Sequence, residues 1–505
     1  MTWEPHIKQL IERCQSDLKL LYLISKKSWG SDQHCLLIIY KALIRSKIDY
    51  ACQIYQSAHP SLLHRLDFIQ RKALLLCTGH LPNTNLEELQ IIAGDPPITI
   101  RRTEFLLKYY TRISTHNESN STRISIKNCQ RPFHPKLIPR PPAGHIIHKL
   151  HTIHPELKLL PEPTQVNNIN PWRNQPPKVH LDITKFGSKL INPWKILTAV
   201  NHILDEQFTK YFKIYTDGSK KSNQTKLTAS AYVIPEIQVC TSYRLPSYSS
   251  IFTAELCAIY QALLWIRQDN HSLFLIIKDS LSVAKSITSL QTSSQPNIMG
   301  SIKTTLHQLS ITNKTIEFLW CPSHINISGN DAADLAANKG LTLNQIENIA
   351  TSTKEIYSII RSFCDKLWLT KWTNSNRGRF LFSIIPNTSR KSPTPKYLSR
   401  SDSTIINRLL SGYTKLLSSF GKHIQINPII PIDCPFCSTQ NTLEHIINNC
   451  ILFQMERNIL ISKLLSIGAT TNIPDTFKSN NNPNLRTACC YVIDYLKNKK
   501  MFFQI

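Results

Sequence analysis

The sequence predicts an α/β domain with a mixed sheet, set between two mainly helical regions. Three observations carry that expectation. From residue 205 to 345 short apolar runs follow one another in strand and helix order, while 1–115 and 346–505 show apolar residues at helical spacing. Between the first two regions lies a proline-rich stretch that breaks any long element. At 505 residues the chain is too long for a single hydrophobic core, so two to four domains are expected.

Taken in order, residues 1–115 read as helical. Gln33–Asp49 carries Leu36, Ile39, Leu43 and Ile44 on one face, and Pro60–Cys77 repeats the pattern with Leu62, Leu66, Ile69 and Leu74. No acidic cluster of a catalytic kind is expected there; Arg101, Arg102 and Lys108 are read as phosphate contacts or as a solvated face. Pro132, Pro135, Pro139, Pro141, Pro142, Pro161, Pro163, Pro171, Pro176 and Pro177 mark 116–200 as a linker or arm. His145, His148, His151 and His154 recur every third residue, but no cysteine or carboxylate accompanies them at matching intervals, which argues against a metal site.

Within 205–345, Phe212–Thr216, Leu227–Ile234 and Ile237–Tyr243 read as strands, Thr253–Arg267 as a helix, Leu273–Ile277 and Thr315–Trp320 as two further strands, and Asn330–Asn338 as a closing helix. Residues 346–505 return to helical spacing, interrupted by a cysteine cluster at 434–450 and a polar Asn/Pro stretch near 474–484.

The formal net charge of +26 favours a polyanionic partner, because releasing counterions from a DNA or RNA backbone supplies binding energy. No apolar run reaches the roughly 18–20 residues of a membrane span, and the N-terminus MTWEPHIKQL does not resemble a signal peptide, so an intracellular protein without a membrane partner is expected. The fourteen cysteines are mostly scattered, often in apolar stretches, as suits a reducing compartment.

Four carboxylates then stand out. Asp217 follows an apolar strand in YFKIYTDGS, and Asp279 follows Leu275–Ile277 in the same manner, so both are expected at strand ends of one sheet. Glu255 lies in the first turns of a helix whose Leu256, Ile259 and Leu263 must pack on that sheet. Asp334 lies on a short helix with Leu335 expected to face inward, and His324 precedes it by ten residues. Carboxylates brought this close would repel and raise one another's pKa values, a conflict that divalent metal resolves. Oxygen-only ligands indicate Mg²⁺ or Mn²⁺. Two ions about 3.5–4 Å apart can activate water and stabilise the leaving oxygen of a phosphodiester.

These residues carry a resemblance. Segment 212–340 resembles the type 1 ribonuclease H family in Asp217-Gly218-Ser219, in Glu255 of TAEL, in Asp279-Ser280-Leu281, and in WCPSHINISGNDAADLAA from Trp320 to Ala337, which is similar to the W-x-x-x-H-x-G-x-x-G-N-x-x-A-D pattern of retroelement members. The resemblance implies a five-stranded mixed sheet with flanking helices, two Mg²⁺ held by Asp217, Glu255, Asp279 and Asp334, and His324 as a proton carrier near the leaving group. It also implies an endonuclease cutting the RNA strand of RNA–DNA hybrids to leave 3′-hydroxyl and 5′-phosphate ends, with discrimination resting on 2′-hydroxyls present on one strand only. Two positions depart from the pattern. Asn326 stands where glycine is usual, and asparagine is the best substitute where φ is positive. Lys278 replaces a small residue beside Asp279 and is expected, by strand alternation, to point away from the carboxylates.

The wider chain resembles the C-terminal part of a jockey-like non-LTR retrotransposon polyprotein. Residues 1–115 are similar to the region after a reverse transcriptase palm in SKKSWG (Ser25–Gly30), YKALIRSKIDY (Tyr40–Tyr50), RKALLLCTG (Arg71–Gly79) and AGDPP (Ala93–Pro97), while the Tyr-x-Asp-Asp pair of such a polymerase is absent from the sequence. DNA synthesis by this polypeptide alone is therefore not expected, and Met1 reads as the start of an incomplete copy or an internal methionine. The nucleus is the compartment this origin implies. In the tail, Cys434, Cys437, His445 and Cys450 have the spacing of a zinc knuckle with a structural Zn²⁺, beside a small core of Leu443, Ile446 and Ile447. The alternative to an enzyme is a transposon remnant that binds nucleic acid without chemistry.

Overall fold

The computed structural model describes residues 3–26, 29–128, 143–154, 176–186, 193–221, 227–289, 295–349, 351–412, 433–434, 436–440, 445–470 and 484–498. It divides into two compact units: residues 1–109, 126–150 and 360–505 form one, and residues 110–125 and 151–359 the other.

The first unit is helical. Helices α1 (Glu4–Ile24), α2 (Gln33–Tyr40), α3 (Ser46–Asp49), α4 (Cys52–Tyr55), α5 (Pro60–Thr78), α6 (Leu86–Ala93) and α7 (Ile98–Ser114, which runs on into the second unit) follow in order, with a π-helical turn at Lys41–Arg45. Leu36, Leu66, Ile69 and Leu74 are buried, and Ile39, Leu43 and Leu62 pack against their core, as the helical spacing predicts. Arg101 and Arg102, however, are neither phosphate contacts nor a solvated face, because both are buried. Arg101 bonds Asp49 and donates to Asp95 Oδ1 at 3.1 Å, which also accepts from Arg45 at 2.7 Å. Tyr40 and Gln70 donate to the other Asp95 oxygen at 2.8 and 2.7 Å. Burial alone would raise the Asp95 carboxyl, but Arg101 and Arg45 hold it below the usual carboxylate range.

Helices α8 (Ser121–Asn128) and α9 (Ala143–Ile153) fall where the proline pattern predicts a linker, and Pro132, Pro135, Pro139, Pro141, Pro142, Pro161, Pro163 and Pro171 lie outside the described residues. The histidines spaced by three lie on or just after α9 and enter no metal-binding group among the described residues.

The second unit is a mixed sheet with helices on both faces. Its strands are β1 (Val179–His180), β2 (Phe212–Lys221), β3 (Leu227–Ile234), β4 (Val239–Leu245), β5 (Leu273–Lys278) and β6 (Thr315–Trp320), arranged β1-β6-β5-β2-β3-β4. Strands β2, β3 and β4 form an antiparallel meander, while β2, β5, β6 and β1 run parallel. The sheet thus has six strands where the resemblance implies five. The extra one comes from the proline-rich region, where His180 donates to Glu317 on β6 at 2.6 Å.

Strand alternation separates two cores. Phe212, Ile214, Phe274, Ile276 and Phe318 face α11 (Ile251–Gln268) and α13 (Pro296–Ile311), together with α12 (Leu281–Thr288). Tyr215, Leu275, Ile277 and Leu319 face α10 (Pro193–Glu206) and α14 (Ser328–Gly340). On α14 it is Ala333, Ala336 and Ala337 that pack inward, whereas Leu335 is 63% exposed, contrary to the expectation from its position. The reason is the close approach of α14 to the sheet: a Cβ on Gly329 would meet the Tyr215 ring at 2.3 Å and one on Gly340 would meet the Ala229 Cβ at 3.0 Å. A helix this near the sheet admits only small residues.

After α14 come α15 (Thr353–Thr373), α16 (Arg379–Ile384) and α17 (Arg400–Ser411), then helices Gln454–Ser466 and Leu485–Asn498. In the first unit α17 is bonded to the end of α5: Arg400 donates to the Cys77 and Leu76 carbonyls at 2.7 and 2.6 Å, and Asn407 to that of Thr78 at 2.7 Å. Among the described residues no helix is long and apolar enough to cross a membrane.

Breaking one partner of a buried ion pair leaves uncompensated charge, here on Arg101 and Arg45. Asp95→Asn is expected to destabilise the helical unit by about 3–5 kcal/mol, read from urea unfolding of the full chain.

Candidate active site

The site lies where β2 and β5 part. Their parallel pairing ends at Thr216 opposite Lys278, and the next residues are Asp217 and Asp279. Asp217 is not at the strand's end, as the sequence suggests, but inside it, because β2 continues to Lys221 through its pairing with β3. Asp279 lies in the bend beyond β5, held by Trp320, whose indole N–H donates to the Asp279 carbonyl at 2.8 Å.

Glu255 reaches the same place from α11. Ser250 caps this helix by accepting from the Thr253 N–H at 3.1 Å. A buried Glu355 accepts from the Ser250 N–H at 2.8 Å and from the Thr253 hydroxyl at 2.6 Å, setting a carboxylate at the positive end of the helix. Gly218 lets that first turn come close: a Cβ there would lie 2.8 Å from the Glu255 nitrogen and 2.9 Å from the Ala254 Cβ. The Gly218 backbone lowers the carboxyls of both Asp217 and Glu255 a little, against the larger rise that burial causes.

Oxygens of Asp217, Glu255 and Asp279 lie within 4.8 Å of one another. Asp334 stands outside that group, half-buried on α14, close enough for its charge to act on Asp217 and Asp279. Asn338, one turn along α14, donates to Asp334 Oδ1 at 3.0 Å and accepts from Ser219 of β2 at 2.8 Å, tying the fourth carboxylate to the strand that carries the first. His324 is exposed and close enough for its charge to act on Asp279. Asn326 has φ +64°, the left-handed conformation expected of it, and His324 shares it at +56°.

Lys278 departs from expectation. Its side chain is fully buried and donates to Glu255 Oε2 at 3.3 Å. Alternation does turn it away from Asp279, onto the face of Phe274 and Ile276. That face is the one α11 covers, so it leads to Glu255 and not to solvent.

The electrostatics favour a bound cation. Burial, then the charges of Glu255, Asp279 and Asp334, push the Asp217 carboxyl up to about 8. Burial raises Glu255 to about 7, with Lys278 opposing and Asp279 adding to the rise. Burial also raises Asp279, against the pull of Lys278. Three hard oxygen donors in this arrangement fit Mg²⁺ or Mn²⁺.

A second cluster has different chemistry. Sγ atoms of Cys434, Cys437 and Cys450 and a ring nitrogen of His445 all lie within 4.8 Å of one another. The Cys450 sulfur is 3.8 Å from that of Cys434 and 3.9 Å from that of Cys437. Sulfurs bound at about 2.3 Å to a common tetrahedral centre stand about 3.8 Å apart, so the spacing suits zinc and is far too long for a disulfide. The hydrogen bond from His445 holds the Cys434 thiol well below its ordinary value. Leu443 and the side chains of Ile446 and Ile447, expected to fill a core here, lie outside the described residues.

Asn338 and Glu355, and the bond by which Ser219 of the first motif supports Asn338, are what the sequence reading missed. The interval of four between Asp334 and Asn338 on one helix is the signal that would have pointed to the first. Nothing local marks Glu355, which lies beyond the segment the motifs cover.

The family model described as RNase H matches residues 209–342, so that segment, with strands β2 to β6 and the four carboxylates, is an RNase H domain. Comparison with curated proteins gives no match.

Stability should report the crowding of charge. In the metal-free fold Asp217 and Glu255 keep protons that the unfolded chain has released above ordinary values of 3.8 and 4.5. The folded state therefore binds more protons between about pH 4 and pH 8, and stability falls as pH rises through that window. Thermal unfolding in a chelator is expected to show this decline, Asp217→Asn to flatten it, and millimolar Mn²⁺ to reverse it at pH 8.

Proposed function

We propose that the chain is a metal-dependent endoribonuclease of type 1 ribonuclease H character that hydrolyses the RNA strand of RNA–DNA hybrids. The observation that carries this reading is the meeting of Asp217, Glu255 and Asp279 within 4.8 Å, inside the segment that matches RNase H. Asp217, Glu255 and Asp279, with Asp334 behind them, would hold the divalent metal, Mg²⁺ or in its place Mn²⁺. When bound, that metal supplies Lewis-acid stabilisation of phosphodiester oxygens and lowers the pKa of the attacking water.

The rest of the chemistry belongs to side chains of the chain. Asp217, fixed by the pairing of β2 with β3, and Asp279, held just beyond β5 by the Trp320 indole, would set the position of the scissile phosphate. The Asn338 and Ser219 bonds keep Asp334 directed at that position. His324, exposed on a left-handed loop beside Asp279, can carry a proton to or from the leaving oxygen. The excess positive charge of the chain attracts the polyanion. Cys434, Cys437, His445 and Cys450 would hold a structural Zn²⁺, tying Cys434 and Cys437 to the π-helical turn at His445–Asn449 and to Cys450.

The flanking helices support a retrotransposon origin through the motifs of the first 115 residues, and that origin makes the nucleus the compartment of action. One observation favours the alternative of a non-catalytic nucleic-acid-binding remnant: the ion pair between Lys278 and Glu255, which engages one of the carboxylates.

The full chain is expected to cut the RNA of a labelled hybrid in Mg²⁺ and to leave duplex RNA and DNA intact. Asp279→Asn should lower the rate by roughly two to three orders of magnitude, and His324→Ala by about 10²-fold. Hybrid binding without cleavage in either metal would establish the remnant. Metal analysis should find one zinc per chain, lost in Cys434→Ser and in Cys450→Ser; a full zinc complement in both variants would remove the knuckle.

A further inference from the structure

Lys278 is enclosed with the acids. Its side chain has no exposed surface, its strand neighbours are Thr216 and Trp320, and its hydrogen bond among the described residues is the one to Glu255. An ammonium shut away from water must find its counter-charge nearby, and here that charge belongs to the metal-binding cluster itself.

The charge count changes accordingly. Asp217, Glu255, Asp279 and Asp334, fully deprotonated, carry four negative charges, the number that two divalent ions neutralise. With Lys278 inside, the net is three. One divalent ion then leaves a single negative charge, which a partly wet site tolerates. Two leave an excess positive charge among groups that are largely buried. Any cation sharing Glu255 with Lys278 also stands beside the ammonium, where the low dielectric strengthens repulsion.

We propose that Lys278 is a fixed cation of the site: it holds Glu255, takes the charge role of a second divalent ion, and leaves one ion, shared by Asp217 and Asp279, bound at low-millimolar concentration. This rests on the nuclease reading above, since it presumes that the carboxylates bind metal. Lys278 acts through Glu255 and is a positioning residue. The second ion is expected to bind on the order of 100-fold more weakly than in a site with a neutral residue at 278.

The test is Mn²⁺ titration of the full chain followed by electron paramagnetic resonance, counting the ions that disappear in Asp279→Asn. Lys278→Met keeps the length of the side chain without its charge, and Lys278→Gln is a second neutral variant should the first fail to fold by circular dichroism. One Asp279-dependent Mn²⁺ in the natural chain and two in the neutral variants is the expected result. Two ions of similar affinity in the natural chain, or a single ion in folded neutral variants, would overturn the inference while leaving the metal site standing. No Asp279-dependent Mn²⁺ in any protein would overturn the metal-site reading and this inference together.

Discussion

Repulsion among enclosed carboxylates is the constraint around which the RNase H domain is arranged. Asp217, Glu255 and Asp279 meet where two parallel strands part, with Asp217 and Glu255 buried and Asp279 half-buried, so that solvent screens them only in part. Each acid needs its own restraint to remain there. Asp217 is fixed by pairing on both sides of β2 up to Thr216. Glu255 is carried by a helix whose first turn is anchored by Ser250 and Glu355 and admitted by the missing side chain of Gly218. Asp334 is tied through Asn338 to Ser219. The fold supplies the rigidity, Lys278 offsets part of the charge from within the chain, and the proposed divalent ion would offset the rest.

Much of this domain was legible in the sequence because its signals are local. Strand β6 coincides with the expected Thr315–Trp320, and the helix bearing Glu255 extends only slightly beyond Thr253–Arg267. Asn326 was recognisable because few residues other than glycine adopt a positive φ readily. The errors arose where tertiary geometry decided the outcome. Lys278 does alternate away from Asp279, but the acids approach the end of the sheet from both faces, so turning away from one led to another. Leu335 faces outward because the sheet is too close to α14 for a large side chain. The proline-rich stretch concealed β1, which is too short to register as a strand until β6 offers it a partner.

The helical unit shows the same limit on a larger scale. Arginines in an amphipathic pattern suggest a nucleic-acid surface, yet Arg101 is committed to Asp95 just before its own helix and to Asp49, 52 residues away. The chain's net charge cannot identify which cations are available to a polyanion; burial decides that. The cysteine cluster was the easier case. Its ligand spacing is short, and the sulfur separations agree with a tetrahedral centre.

The central claim is that the carboxylates at the parting of β2 and β5 hold a divalent ion. Anomalous diffraction from crystals of the full chain soaked in Mn²⁺ tests this most directly. A manganese peak in coordination contact with both Asp217 and Asp279, absent from crystals of Asp279→Asn, is the predicted result. Manganese found only at other positions, with Asp217 and Asp279 ordered and unligated, would contradict it.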